Sequence, residues 1–446
     1  MKKIIIFLFT LLSLNSMVNA QVNSQNPDMI IDTDVGYRLA YNRPIIRAAS
    51  PTEIVSYHEE DKKGIFSLLD GGIVVNTLSL PDFHFVTDFE IDGGIVYFCG
   101  EYIVSSSSTI AILGSFSLAD FYIQSPHIDF YRFNAKTHAY FKKMEMFFDP
   151  ILMQNIITAI GHSYDKDLNG NRSNQSDFLA ISDGSFLFFN YYDFLPTDEI
   201  YHDVIETDNY IVLSGEIANQ GNTLAFRRID KTNYNIPNIN DIYTIILPHL
   251  EPLTYLLGEG LDGTDTFITS TYAEINNIFG TILRTYDAST MDEIQDQFIP
   301  SSLGEKTEPY ELKYMNNDTV LLLQYSTSSP ETKIYYIDPI PTPVNNNNFY
   351  VVNCEYYPNR DFYSLDKYSQ NNYIAIGISA ENISYAARYI SSDNVSCAII
   401  ESVEATFYSK YGLNTQFMPI SATNYTLNII SNKFSNNFMN LNTYCP

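Results

Sequence analysis

Apolar and polar positions alternate along most of this chain in paired short runs, each pair joined by a turn of Asp, Asn and Gly. The clearest pairs are VTDFEIDGGIVYFCG (86–100), YHDVIETDNYIVLSG (201–215), PYELKYMNNDTVLLLQ (309–324) and FYSLDKYSQNNYIAIG (362–377). Weaker versions lie at 150–161, 253–270 and 418–430. Period-two alternation puts successive side chains on opposite faces of a strand. Asp-Gly-Gly and Asn-Asn turns tolerate the positive φ that tight hairpins need. Each pair is therefore a predicted β-hairpin. The turns centre on Gly93, Asn155, Asp208, Gly263, Asn317, Asn371 and Asn424, and subtraction gives steps of 62, 53, 55, 54, 54 and 53.

Second hairpins fill the intervals, at 65–80, 177–192, 222–230 and 333–357. Two hairpins per period make a four-stranded unit of about 54 residues, slightly longer than the familiar propeller repeats. The best helical spacing, at 286–296, is short and polar. The predicted fold is all-β: a β-propeller of seven four-stranded blades, whose radial closure protects the sheet edges. An eighth blade is expected if 46–58 forms an inner hairpin of its own. Strands in 44–80 and those after Asn424 are expected to share one blade. A small residue recurs at the end of the second strand, at Gly100, Gly161, Gly215, Ser270 and Gly377. Its expected role is to let neighbouring sheets approach near the axis. Composition agrees, with 35 Tyr, 29 Phe and no Trp, since Tyr and Phe favour strands.

Charge narrows the partners. Asp plus Glu number 52 against 25 Lys plus Arg, a net charge of −27. Nucleic acid and anionic lipid surfaces are excluded, because binding them requires placed Lys and Arg. Residues 1–20 read as an export signal: Lys2 and Lys3, an apolar run from Ile4 to Leu14, and Val18-Asn19-Ala20 before a cut. The run is too short to span a bilayer. An N-terminal extension (21–43) and the propeller (44–446) follow, and the product is expected as a monomer in the periplasm or outside the cell. Export permits disulfides. Cys397 with Cys445 is the expected pair, Cys354 with Cys397 the competing one, and Cys99 reads as a buried filler.

The phrase VTDFEIDGGIVYFCG, with RAAS (47–50) upstream and cysteines near the C-terminus, resembles secreted β-propeller proteins of Gram-negative bacteria. The likeness covers most of 44–446. It implies the propeller fold, and it implies little about function because most of those proteins have no assigned activity.

Two places invite chemistry. Asp165, Asp167, Asn169, Gly170, Asn171 and Ser173 match the first nine positions of a calcium loop. The twelfth position is Ser176 where a bidentate Glu is usual, with Asp177 one step beyond. A bound Ca2+ there would be structural. The segments entering each blade's inner strand carry Asp82, His84, Asp149, His202, Asp203, His249, Glu251, Glu308, Arg360 and Asp361. In a propeller these should converge on one channel mouth, where they could bind a cation, sugar or peptide. Tyr191-Tyr192, Tyr335-Tyr336 and Tyr356-Tyr357 suggest sugar stacking, although strand tyrosines commonly pack. Nucleophile elbows, metalloprotease pairs and P-loops are absent. The expected function is non-catalytic binding or scaffolding on a glycan or protein surface. The alternative is a polysaccharide hydrolase or lyase, which requires convergent carboxylates with His or Arg in a deep pocket.

Overall fold

In the computed structural model the described residues are 28–36, the strands and many connections of 43–389, and three C-terminal strands at 399–401, 416–418 and 441–444. The export signal, the cysteines at 397 and 445, and the repeat at Asn424 lie outside them.

The described strands form seven antiparallel sheets of four or five strands. We number them in chain order: sheet 1 (45–82), sheet 2 (84–131), sheet 3 (138–193), sheet 4 (199–246), sheet 5 (256–300), sheet 6 (307–358) and sheet 7 (361–389). Within each, consecutive strands pair in order. First strands of successive sheets lie side by side around a closed ring, with Ile45–Ala48 against both His84–Asp92 and Asp361–Ser369. Side-by-side packing of first strands with no edge left open is the propeller arrangement.

The core is divided accordingly. Six apolar clusters each sit between two consecutive sheets, such as Phe66, Phe89 and Phe98 between sheets 1 and 2, or Phe226, Phe267 and Tyr286 between sheets 4 and 5. Second strands are covered on both faces, so their sequences are continuous apolar runs. Val96 to Cys99 and Val320 to Leu323 are buried throughout. Cys99 is the buried filler expected of it, and burial pushes its thiol pKa up.

N- and C-terminal strands share one sheet, as expected, but the N-terminal partner is not 44–80. Residues 45–82 build a complete sheet, with 45–48 and 53–60 as its own inner hairpin. The shared sheet is instead sheet 7, completed by Asp28–Gly36, which pairs with Asn382–Tyr389 and with Leu441–Tyr444. Part of the 21–43 extension is thus a propeller strand. Its alternating DMIIDTDVG is short and flanked by polar residues, so it does not stand out as a hairpin partner.

The recurring glycines also act differently. Gly100, Gly161, Gly215 and Gly377 each face a β-bulge in the first strand of their own sheet. A Cβ there would lie 1.9–2.3 Å from the backbone carbonyl of Phe85, Tyr140, Ile200 or Asp361. The close approach is within a sheet, strand to bulged strand, which only Gly permits.

Candidate functional site

The bulges decide what faces the axis. Pairing skips one residue in five first strands, at Thr87, Lys142, His202, Tyr310 and Tyr363. A bulge re-aims the side chains that follow it. Here those are Asp88, Lys143, Asp203, Glu311 and Ser364, with Glu90, Glu145, Lys313 and Asp366 two residues further on. Arg47 and Glu259 complete the set from sheets 1 and 5.

Arg47 anchors the arrangement, with only 2% of its side chain exposed. It meets Asp88 at 2.8 Å, Glu90 at 3.0 Å and Glu311 at 3.0 Å, joining sheets 1, 2 and 6. Lys143 of sheet 3 lies 3.3 Å from Asp88 and 3.9 Å from Glu311, and Lys313 of sheet 6 lies 3.9 Å from Glu90. Partners from sheets so far apart around the ring place these charges on the axis itself. Lys143 keeps 26% of its side chain exposed and Lys313 17%, so some solvent reaches the hollow.

The carboxylates also stitch the ring. Asp88 accepts from the Met144 N–H (3.2 Å), Asp203 from Gly258 (2.8 Å), Glu259 from Tyr314 (2.8 Å), Glu311 from Leu365 (2.9 Å) and Asp366 from Ala48 (2.7 Å). Each bond runs from one first strand to the next. It satisfies a backbone donor that the innermost strand would otherwise leave unpaired.

Burial and neighbours set the titrations. Burial alone would lower the Arg47 pKa, but Glu311, Glu90, Asp88 and Asp366 hold it well above its ordinary value. Burial would raise Asp88, yet Lys143 and Arg47 keep it low. Burial prevails elsewhere, lifting Asp203 to about 6, Glu259 to about 7, and Glu145 and Asp366 upward as well.

Beside the axis, Lys142 Nζ bonds His202 Nδ1, and His202 Nε2 lies 3.4 Å from Glu216. His162 pairs with Asp177, which also accepts from the Tyr201 N–H. Burial brings Lys142 down to about 8 and, aided by Lys142 and His162, holds His202 neutral, well below its ordinary value.

Among the described residues the expected mouth residues do not converge. His84 and Asp361 stand at the starts of their first strands, but Asp149 ends its own, at the opposite rim. His84 is packed, stacked on Tyr102 with centroids 4.3 Å apart, and burial lowers its pKa. Asp149 is buried and accepts from the Leu152 N–H at 2.9 Å, shaping a turn. Asp203 faces the axis and His202 the Lys142 cluster. Glu308 and Asp361 are half-buried, and Asp82 pairs with Lys63 at 3.3 Å. His249, Glu251 and Arg360 lie outside the described residues.

Asp177 cannot share the expected calcium loop. The hairpin pairs Asp165 with Ser173, while Asp177 sits four residues down the strand, buried opposite His162. At roughly 3.3 Å per residue that is about 13 Å away. Asp165 itself accepts from the Thr137 N–H at 3.1 Å. Asp167, Asn169 and Asn171 lie outside the described residues, as does the Ser173 side chain. Among the described residues no group of three or more His, Cys, Asp or Glu is placed to hold a metal. Tyr335 and Tyr336 are core residues, and Arg43 covers Tyr310 at 3.6 Å. No helix among the described residues is long and apolar enough to cross a membrane.

Apart from Asp203, the axial charges were missed in the sequence because each looks like an ordinary solvated residue of an alternating strand. One signal was available. A charge sits in the middle of every first strand, in IIRA, VTDFEID, KKMEM, YHDVIE, LLGEG, YELKYM and YSLDK.

No family model matches the chain, and no curated protein matches it in sequence. Solved structures similar to it include the Dos1 propeller, at 9% identity over 80% of this chain and 82% of that one, with a TM-score of 0.48. Kluyveromyces lactis Hsv2 is similar at 8% identity over 81% and 97%, with a TM-score of 0.41. The Vanderwaltozyma polyspora Nup133 β-propeller domain matches at 9% identity over 82% and 99%, with a TM-score of 0.37.

Proposed function

We propose that this chain is an exported, non-catalytic propeller that binds or scaffolds, its ligand a glycan or a protein surface. One observation carries the reading: the convergent carboxylates are already occupied. Asp88, Asp203, Glu259, Glu311 and Asp366 each cap a neighbouring strand, and Arg47 bridges three sheets across the axis. A hydrolase needs its acid and base free to face a substrate, with room between them. Cross-axis pairs at 2.8–3.9 Å leave no such room in that layer. The shifted pKa values follow from an enclosed ion network, which perturbs titration without catalysis.

The test is to assay the protein on a polysaccharide panel for release of reducing ends, beside a glycan array and a protein-interaction screen, each with and without calcium. The expected result is saturable binding to one ligand class with no turnover. Turnover abolished by Asp203→Asn would overturn the reading, and so would absence of binding in every arm.

A further inference from the structure

On the rim carrying the first hairpin turns, polar bonds tie sheet 2 to sheet 3 and sheet 4 to sheet 5. Asn155 donates to Asp92, linking sheets 3 and 2. The Asp208 N–H donates to the Thr264 carbonyl at 3.2 Å, and Asn209 bonds Asp265 at 2.8 Å, linking sheets 4 and 5.

Sheet 3 departs from this polar pattern. Its hairpin displays Phe148 at 55% exposure, Leu152 at 44% and Met153 at 74%, the most exposed large hydrophobic among the described residues. Met153 also has φ +54°, a left-handed conformation that sheets 2 and 5 give to Gly93 and Gly263 in their corresponding turns. A side chain there costs about 1 kcal/mol that Gly would not. Leu152 is nonetheless held by its N–H bond to Asp149, and Asn155 ties the following strand to sheet 2. Folding favours a glycine at position 153, and the chain instead holds apolar side chains in solvent there.

The surroundings indicate what would cover it. Asp92 and Asp208, on the turns to either side, are exposed, as is Asp230. The nearby cations are engaged internally: Lys231 with Glu206, and Arg228 with the Ala288 and Ser289 carbonyls. The rim therefore presents an apolar knob ringed by unneutralised carboxylates. A second copy of so acidic a chain is repelled.

The geometry points to this hairpin as a docking knob for a basic protein partner, one offering an apolar recess bordered by Lys and Arg. The inference rests on the binding reading above and names the partner's chemistry. Exposed apolar tips supply binding energy, and the flanking charges supply steering and specificity.

The test selects a displayed random-peptide library on the wild-type protein and measures the enriched peptides against Phe148→Ser/Met153→Gly. The expected peptides combine Lys or Arg with aliphatic or aromatic residues. They should bind the double variant at least about tenfold more weakly and should weaken as salt rises. The variant should melt no lower than wild type, showing that the fold is intact. Peptides that bind the variant equally would sink the knob and leave a binding propeller standing. Neutral or acidic winners would sink the basic-partner assignment, and self-association through the tip would replace it with a second copy. No enrichment at all would count against both readings.

Discussion

The axis carries two layers of charge, two residues apart along the same strands, built to different balances. The first holds Arg47 and Lys143 against Asp88, Asp203 and Glu311. The second sets Lys313 among Glu90, Glu145, Glu259 and Asp366, with Arg47 reaching Glu90 at 3.0 Å. In the first, Lys143 and Arg47 outweigh the burial of Asp88, whereas burial prevails over Lys143 at Asp203 and lifts it to about 6. In the second, Glu145, Glu259 and Asp366 all have raised pKa values, because burial outweighs Lys313 together with Lys143 or, at Asp366, with Arg47. Enclosure is thus the same for both. A buried acid keeps its charge where cations touch it directly, as Arg47 and Lys143 touch Asp88, and is pushed toward its protonated form where no cation pairs with it.

The largest effect should come from removing the first layer's anchor. Arg47→Met leaves Asp88, Glu90 and Glu311 with only Lys143 and Lys313 beside them and should cost about 3–5 kcal/mol, read by urea denaturation. Because Asp88 keeps Lys143, the larger of the two charges that hold its carboxyl low, that loss should be similar at pH 8 and pH 5. Lys313→Met should behave otherwise, with a loss that shrinks by roughly half at pH 5 as its carboxylates take up protons. Equal pH dependence in the two variants would erase the distinction between the layers.

Gly100→Ala tests the bulge that aims Asp88. A Cβ 2.0 Å from the Phe85 carbonyl forces the strands apart, at a cost of about 3 kcal/mol. A harmless alanine would show that the bulge does not set the layer.

Glu259→Gln gives a smaller effect of opposite sign. The folded pKa of about 7 lies above the ordinary 4.5. The stability tied to its protonated form is therefore fully present below about pH 4.5 and is lost as pH rises through 7. Glutamine can still accept from Tyr314 and carries no charge. The variant should be more stable than wild type by about 1–2 kcal/mol at pH 8, and the gain should vanish near pH 4.5. The smallest effect lies at the rim, where Met153→Gly should raise stability by up to about 1 kcal/mol in a melting curve.

The sequence shows the repeat, and the repeat shows the hairpins, because alternation and turn chemistry are local. Turn positions at Gly93, Asp208 and Gly263 fall where the pattern places them, and Asn155 is the second residue of a strand. Closure was not legible. Asp28–Gly36 pairs with strands hundreds of residues away, and nothing local marks it as sheet 7's missing strand. The axial site failed for a similar reason. Lys143 and Glu311 are unremarkable in their own strands and acquire meaning only when sheets 3 and 6 face each other. Asp149 was misplaced because its strand carries the polar residue at the far end. The glycine rule was visible, but its cause, a bulge within one sheet, required the register.

The most direct test of the account is a double-mutant cycle between Arg47 and Glu311, using Arg47→Met, Glu311→Gln and the pair, read by urea denaturation at pH 7. These residues meet only if the ring closes and its charges cross the axis. The account predicts a coupling of about 1–3 kcal/mol. Strict additivity would mean that sheets 1 and 6 do not meet there, and the closed, charge-filled axis would be wrong.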